Sequence, residues 1–162
     1  MHYQADEPHL LHSSGIHEVH YKILYFGPPM SGKISSVTYL YQTIPIKDKR
    51  WIIRLHHPHE HHFFWDGMIY RTSTTLVRFH IYTIPGVVFN DFPWIRLCMG
   101  VDGIIFVADS QEQRLNENRR SITLLEQICR ANRRNLASIP FVFQYNKQDL
   151  SNTFSPTILR GY

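Results

Sequence analysis

The sequence has few cysteines, no long apolar run and no strong excess of one charge. Its 162 residues include two cysteines and carry a formal net charge of +4. No run approaches the roughly 20 apolar residues that a membrane-spanning helix needs, so we expect no integral membrane segment. Cys98 and Cys129 lie in apolar-rich stretches and lack metal-ligand spacing, which favours buried free thiols in a reducing compartment over a disulfide. The mild charge and the lack of a nucleic-acid-binding motif argue against a nucleic-acid partner.

The N-terminal stretch also lacks the marks of a targeting signal. MHYQADEPHLLHSSG contains acids, histidines and a proline instead of a basic region followed by an apolar one. We therefore expect a cytoplasmic protein. The length predicts a single domain over residues 1–162, in which residues 1–20 form an N-terminal extension.

Strand-like and helix-like stretches alternate along the chain, which predicts an α/β fold. Five short runs have the apolar, β-branched and aromatic content of strands: 21–26, 51–55, 75–84, 103–109 and 139–145. Helical periodicity occupies 31–43 and a later segment that ends near residue 132. This alternation favours a mostly parallel sheet whose ligands gather at the C-terminal ends of the strands.

A phosphate-binding-loop pattern follows the first predicted strand. Gly27, Gly32 and Lys33 fit G-x-x-x-x-G-K. In such a loop, backbone N–H groups at a helix N-terminus cradle phosphate oxygens and the lysine reaches the terminal phosphates. Ile34 stands where a Ser or Thr would hold magnesium. Taken alone, the pattern also fits a tight turn between a strand and a helix.

A second motif, NKQD at 146–149, follows the last predicted strand. The carboxylate of Asp149 can accept two hydrogen bonds from N1 and N2 of guanine, which adenine cannot offer. Asn146 and the stem of Lys147 would pack around the base. Four isolated letters are a weak signal, but after a phosphate loop and the last strand they predict a guanine-nucleotide site.

With these motifs in order, the chain resembles the MglA family, bacterial and archaeal Ras-like GTPases that set cell polarity and gliding reversals. The resembling text runs from about Lys22 to Leu150: KILYFGPPMSGK, RFHIYTIPG, GVDGIIFVADSQEQR and IPFVFQYNKQDL. The resemblance implies a Ras-like G domain, a three-layer P-loop NTPase fold with a mostly parallel sheet and one antiparallel strand. It also implies binding of GTP or GDP, a Roadblock-type activating partner (MglB) and effectors that read the GTP form.

Matching the family motifs residue by residue assigns the nucleotide-binding positions. They are Gly27, Ser31, Gly32, Lys33, Ile34, Ser35, Gly86, Asn146, Lys147 and Asp149.

Departures from the family pattern fall on the magnesium and hydrolysis side. Ile34 replaces the magnesium-ligating Thr, and Ser35 is turned by about 100° around the helix. Thr83, itself a mark of the family, cannot supply the carboxylate that an Asp lends to the metal in most Ras-like proteins. Val87 replaces the Gln that orients the attacking water. Glu60 aligns with the in-chain arginine finger, where an anion opposes the negative charge of the transition state.

We therefore assign no catalytic residue and expect weak or absent GTP hydrolysis, with nucleotide binding that depends little on Mg²⁺. The leading hypothesis is a guanine-nucleotide-binding polarity or motility switch that presents its surfaces to a partner. An active GTPase whose catalytic groups come from a partner is a second hypothesis. A nucleotide-free scaffold is a third.

A histidine tract at 56–62 raises a separate hypothesis. His57, His59 and His61 alternate, and imidazoles at this spacing can chelate zinc, nickel or copper. The alternative is a solvated switch loop that is rich in histidine. His80 is expected to be an ordinary strand residue.

The C-terminus is short for a Ras-like fold, which carries a further strand and helix after the base motif. Only 13 residues follow Asp149, and Ser155-Pro156 fits the start of a helix. We expect the last strand and helix to be missing, with one sheet edge unpaired and an apolar face uncovered. A truncated paralogue and a partner-docking face both fit this expectation.

Overall fold

The computed structural model describes residues 17–44, 49–56, 61–71, 74–84, 96 and 98–159, with the backbone alone for 49–56 and 61–71. The strands and helices are β1 (His17–Phe26), α1 (Lys33–Thr43), β2 (Lys49–His56), β3 (His61–Arg71), β4 (Thr75–Thr83), β5 (Gly103–Asp109), α2 (Leu115–Ala131) and β6 (Phe141–Asn146). Short 3₁₀ turns occupy Glu112–Arg114, Leu136–Ser138 and Pro156–Leu159.

One sheet joins the six strands in the order β2-β3-β4-β1-β5-β6. The strands β4, β1, β5 and β6 pair in parallel, whereas β3 is antiparallel to both β2 and β4. This arrangement confirms the predicted α/β fold, in which one strand of a mostly parallel sheet runs against the others. α2 is the crossover that parallel pairing of β5 with β6 requires.

The helices cover opposite faces of this sheet. Leu24 and Phe26 of β1 pack on one face with Leu125 of α2. Tyr25 of β1 points to the other face and packs with Val37 of α1. The strand β5 is buried on both faces, as the continuous apolar run GIIFVAD predicted. The C-terminal ends of β1, β5 and β6 therefore lie side by side between the two helical layers.

The strand β3 was not predicted. The sequence analysis gave no strand between residues 55 and 75 and considered a solvated loop for the 56–62 tract, whereas His61–Arg71 form an eleven-residue strand that pairs on both sides. The polar pair Asp66-Gly67 interrupts its apolar pattern, and backbone pairing with two neighbours overrides that local signal. β1 also begins at His17, so residues 17–20 lie in the sheet although the predicted extension included them.

The sheet ends at β6 in the described residues, where no strand pairs with its outer edge. After Ser155 the chain forms one 3₁₀ turn, Pro156–Leu159, and the side chain of Leu159 is buried. On the α1 side, a groove of about 400 Å³ is lined by apolar residues including Ile105 and Val142. Val142 is 58% exposed. The described residues therefore show the expected open edge and a partly uncovered apolar face.

Both cysteines are free and buried, as predicted. Burial raises the pKa of the Cys98 thiol to about 12, and the neighbouring Cys129 adds to this effect. Within the described part of the chain, no helix is long and apolar enough to cross a bilayer.

Candidate functional site

The loop from Gly27 to Lys33 joins β1 to α1 and depends on two glycines. Gly27 has φ 145° and Gly32 has φ 99°, which L side chains rarely adopt. A Cβ on Gly27 would lie 2.2 Å from the Val107 carbonyl oxygen. A Cβ on Gly32 would lie 2.1 Å from Asn146 Nδ2. Both glycines therefore permit a backbone shape and a close approach that no other residue allows.

The ammonium of Lys33 lies at the centre of this loop. Lys33 is 3% exposed, and its Nζ donates hydrogen bonds to the carbonyl oxygens of Gly27 (3.0 Å) and Pro28 (2.8 Å). The loop therefore folds back around a positive charge. Both of these bonds go to neutral carbonyl oxygens, and a charge-assisted bond from the ammonium to an anionic ligand would be stronger.

Ser31 adds a hydroxyl to the inside of the loop. Its side chain is fully buried, and its Oγ lies 3.2 Å from where a Cβ on Gly27 would stand. Among the described residues this Oγ has no hydrogen-bond partner. Because buried polar groups are nearly always paired, this hydroxyl is available to a ligand.

The N-terminus of α1 is likewise open to an anion. Its N-cap residue, Gly32, offers no side-chain hydrogen bond, and the first turn contains no acidic residue. The first N–H groups of a helix have no acceptor within the helix, and the helix dipole makes this end positive. Together with Lys33, these groups form a site suited to phosphate oxygens.

The second motif contacts this loop directly. Asn146, the last residue of β6, donates a hydrogen bond from Nδ2 to the Ser31 carbonyl oxygen at 2.8 Å. The two residues are 115 positions apart in sequence. The next residue, Lys147, has φ 65°, and Asp149 is exposed in the turn that follows. The structure thus brings Gly27–Lys33 and Asn146–Asp149 together at the C-terminal ends of the strands, where parallel sheets bind ligands.

Residues that the sequence analysis left without a role connect these two segments. Asp109, at the end of β5, is 1% exposed and accepts a 2.7 Å bond from Lys147 Nζ. Arg114 donates from Nη2 to the Pro29 carbonyl oxygen at 2.9 Å. Asn118 donates to the Asp109 carbonyl oxygen at 2.7 Å and accepts from the Asp109 amide. The only sequence signal was the polar run DSQEQR after a buried strand.

A further contact joins β6 to the start of α1. Gln144 donates from Nε2 to Ser36 Oγ at 2.7 Å, and Ser36 in turn donates to the Gly32 carbonyl oxygen at 3.0 Å. Beside it lies a cleft of about 400 Å³ whose walls include Ser35 and Tyr39 of α1. The exposed Ser35 therefore lies on the β6 side of the helix.

The position after Lys33 does not fit a magnesium ligand. Mg²⁺ takes oxygen ligands, and the side chain of Ile34 has none. Thr83 is buried at the end of β4, opposite Tyr25 on β1. β4 and β6 lie on opposite sides of β1 in the sheet. Thr83 of β4 and Ser35, on the β6 side of α1, therefore lie on different sides of β1.

Several predicted residues lie outside the described residues: Gly86, Val87, Glu60, His57 and His59. His56 is in β2, and His61 and His62 are in β3, so these parts of the tract form strands and not a loop. Among the side chains that the structure describes, no three His, Cys, Asp or Glu residues form a group that could hold a metal ion.

Comparison with known proteins gives one informative result. No profile of a protein family matches the chain. The chain is 36% identical over 149 residues to the mutual gliding-motility protein MglA of Myxococcus xanthus, strain DK1622. The alignment covers 88% of this chain and 75% of that protein. Identity at this level over most of both sequences indicates common ancestry and a shared fold.

Proposed function

The chain belongs to the MglA family of Ras-like small GTPases, and we propose that it binds GTP and GDP at Gly27–Lys33 and Asn146–Asp149. The hydrogen bond from Asn146 to the phosphate loop is the observation that carries this proposal. It makes one site of two motifs that lie far apart in sequence.

Phosphate oxygens would be held from three sides of the loop. The Lys33 ammonium would exchange its carbonyl partners for the terminal phosphates, because a charge-assisted bond to an anion is the stronger one. The N–H groups at the start of α1 and the unpaired Ser31 hydroxyl supply further donors. All of these groups lie close together in the loop and the first turn of α1, so they can bind the phosphates of one nucleotide.

The base would be recognised at the end of β6. Asp149 is exposed, and its carboxylate can accept from the N1 and N2 groups of guanine. Lys147 is held by its bond to the buried Asp109, which orders the lysine stem beside the base position. This order lowers the entropy that base binding costs.

Hydrolysis is proposed to be weak or absent. Ile34 contributes no metal ligand, and Val87 can neither donate nor accept a hydrogen bond to the attacking water. Glu60 would place an anion where negative charge develops. We expect the protein to act in the cytoplasm as a polarity or motility switch. Its partners would be a Roadblock-type protein and an effector.

The first experiment is identification of nucleotide released from the purified, denatured protein, followed by titration of fluorescent GDP and GTP. We expect guanine nucleotide in the supernatant and binding by the native protein. Lys33→Met keeps the buried stem but removes the ammonium. The loss of a charge-assisted bond, about 1.5–3 kcal/mol, corresponds to about 10- to 150-fold weaker binding.

Lys22→Met is the matched control, because Lys22 is a lysine on β1 whose Nζ bonds to the Met99 carbonyl oxygen, outside the site. Its nucleotide affinity should equal that of the unaltered protein. Absence of nucleotide binding at high micromolar concentration would refute the proposal and favour a scaffold. Turnover like that of ordinary small GTPases, with no partner added, would refute weak hydrolysis alone.

A further inference from the structure

Two histidines from neighbouring strands contact each other on one face of the sheet. Further along the same strands, α2 covers this face. Nδ1 of His20 on β1 lies 2.8 Å from Nε2 of His80 on β4. Their ring planes are within 9° of parallel, with centroids 5.1 Å apart. Rings stacked face to face keep their atoms about 3.5 Å apart or more. The shorter nitrogen contact therefore means that the rings meet edge to edge, nitrogen toward nitrogen.

A carboxylate lies on the other side of His20. Glu18 Oε1 is 3.6 Å from His20 Nε2, too far for a hydrogen bond, and it accepts a 2.7 Å bond from Arg78 Nε. In many metal sites a carboxylate behind a metal-binding imidazole helps to orient the ring.

We infer that His20 and His80 form a binding site for a divalent transition-metal ion such as Zn²⁺, Ni²⁺ or Cu²⁺. Metal–nitrogen bonds to histidine are about 2.0–2.1 Å long. At the angles between ligands of square-planar or tetrahedral ions, two such nitrogens lie about 2.9–3.3 Å apart. The observed 2.8 Å separation is within about half an ångström of this range. The 2.8 Å contact is a hydrogen bond, so one of its two nitrogens carries a proton, which must move to the other nitrogen of that ring when the ion binds. Rotation about the soft second torsion of histidine would then aim both lone pairs at one ion.

The groups around the two nitrogens indicate which class of metal ion would bind. Two cations lie on the same face: Arg78, whose Nε bonds to Glu18 at 2.7 Å, and Lys22, whose Nζ bonds to Met99 O at 2.8 Å. Mg²⁺ and Ca²⁺ prefer oxygen ligands, which the two imidazoles do not supply. Neutral imidazoles suit zinc, nickel and copper. The side chain of His20 is 51% exposed, so water can complete the coordination sphere.

This site is separate from the proposed nucleotide site. Strands advance about 3.3 Å per residue, so His20 lies roughly 23 Å along β1 from Gly27. The parallel ladder between β1 and β4 fixes the backbone of both histidines, in a register that pairs His20 with Arg78 and Lys22 with His80. Metal binding here requires neither nucleotide nor Mg²⁺, so it can be tested whether or not nucleotide binds.

The experiment is calorimetric titration of Zn²⁺ into the metal-free full chain, into three single variants and into one double variant. His20→Gln and His80→Gln should each remove one Zn²⁺ equivalent, or weaken it at least about tenfold. The double variant should lose no more than either single variant, because both remove the same site. Any Zn²⁺ held by the 56–62 tract would remain unchanged throughout the series.

His17→Gln is the matched control, since His17 is an exposed histidine on the same strand. It should bind Zn²⁺ as the unaltered chain does. The inference would be overturned if His20→Gln and His80→Gln each kept every Zn²⁺ equivalent. It would also be overturned if the losses of the two single variants added up in the double variant.

Should the variants fail to fold, the unaltered chain still decides the matter. Zn²⁺ should shift the amide NMR signals of residues 19–21 and 79–81 and leave those near Phe26 unchanged. Unmoved signals at both histidines would overturn the inference.

Discussion

Ile34 is the residue that distinguishes the proposed phosphate binding from the expected loss of magnesium binding. It directly follows Lys33, whose ammonium the loop encloses, and it places an apolar side chain in the first turn of α1. Lys33 and the helix N-terminus act through groups that Ile34 does not change. An isoleucine in place of a hydroxyl residue therefore offers no metal ligand, while the groups that we propose to bind phosphate are retained.

Ile34→Thr should make nucleotide binding depend on Mg²⁺, because it restores an oxygen ligand in the first turn of the helix. We expect the affinity for GDP to differ several-fold between Mg²⁺ and EDTA in this variant, and little in the unaltered protein. Titration of fluorescent GDP under both conditions measures the effect. Ile34→Val, which has the shape of Thr without its hydroxyl, is the control. An equal response of the two variants to EDTA would contradict the argument.

At the scale of elements, the phosphate loop is a junction of three segments. Asn146 contacts it from β6, Arg114 contacts it from the turn before α2, and α1 continues from it. Each of these contacts is a hydrogen bond to a loop carbonyl oxygen or a direct chain connection. The shape of the loop therefore depends on its neighbours as much as on its own glycines.

Gly32→Ala should remove nucleotide binding, because its methyl group would lie 2.1 Å from Asn146 Nδ2. Asn146 must then move, which breaks its bond to the loop. Gly100→Ala is the control: Gly100 has φ 65°, and nothing lies within 4 Å of its added methyl. Both variants should lose stability through strain at positive φ, at least about 1–2 kcal/mol each.

Chemical denaturation of both glycine variants measures the stability lost through backbone strain. GDP titration measures whether the nucleotide site is also disrupted. Only Gly32→Ala should lose affinity. Unchanged GDP affinity in Gly32→Ala would show that the contact with Asn146 is not needed.

At the scale of the whole molecule, the core makes stability sensitive to alkaline pH. Cys98 is 2% exposed in the cluster that joins α2 to the sheet. Burial raises the pKa of its thiol from 9.0 to about 12. Burial also raises the pKa of Tyr25 above 10.0 on the other face. In both groups the folded state favours the neutral, protonated form.

The free energy of unfolding should therefore fall as the pH rises above about 9. The unfolded thiol releases its proton there, whereas the folded one keeps it until about pH 12. One group of this kind lowers stability by about 1.4 kcal/mol per pH unit between the two pKa values, and nothing is lost below the lower one. Urea denaturation at pH 8, 9.5 and 10.5 measures the slope. Cys98→Ala should flatten it, and an unaltered slope would refute the assignment.

Much of the fold could be predicted because its signals are local. The run GIIFVAD predicted the bounds of β5, and the glycine spacing placed the loop before α1. The strand β3 could not be predicted, because it is stabilised by pairing with β2 and β4 on both sides. Asp109 and Arg114 stayed without a role for the same reason. Their partners, Lys147 and Pro29, are distant in sequence.

The sequence by itself determined which chemical groups the chain offers: the two loop glycines, Lys33, the apolar Ile34 and NKQD in that order. These depend on residue identity and local spacing, which sequence contains in full. Only the tertiary structure decided that Asn146 bonds to the phosphate loop and that His80 faces His20. Such contacts depend on strand order and register, which arise when the whole sheet assembles and distant segments become neighbours.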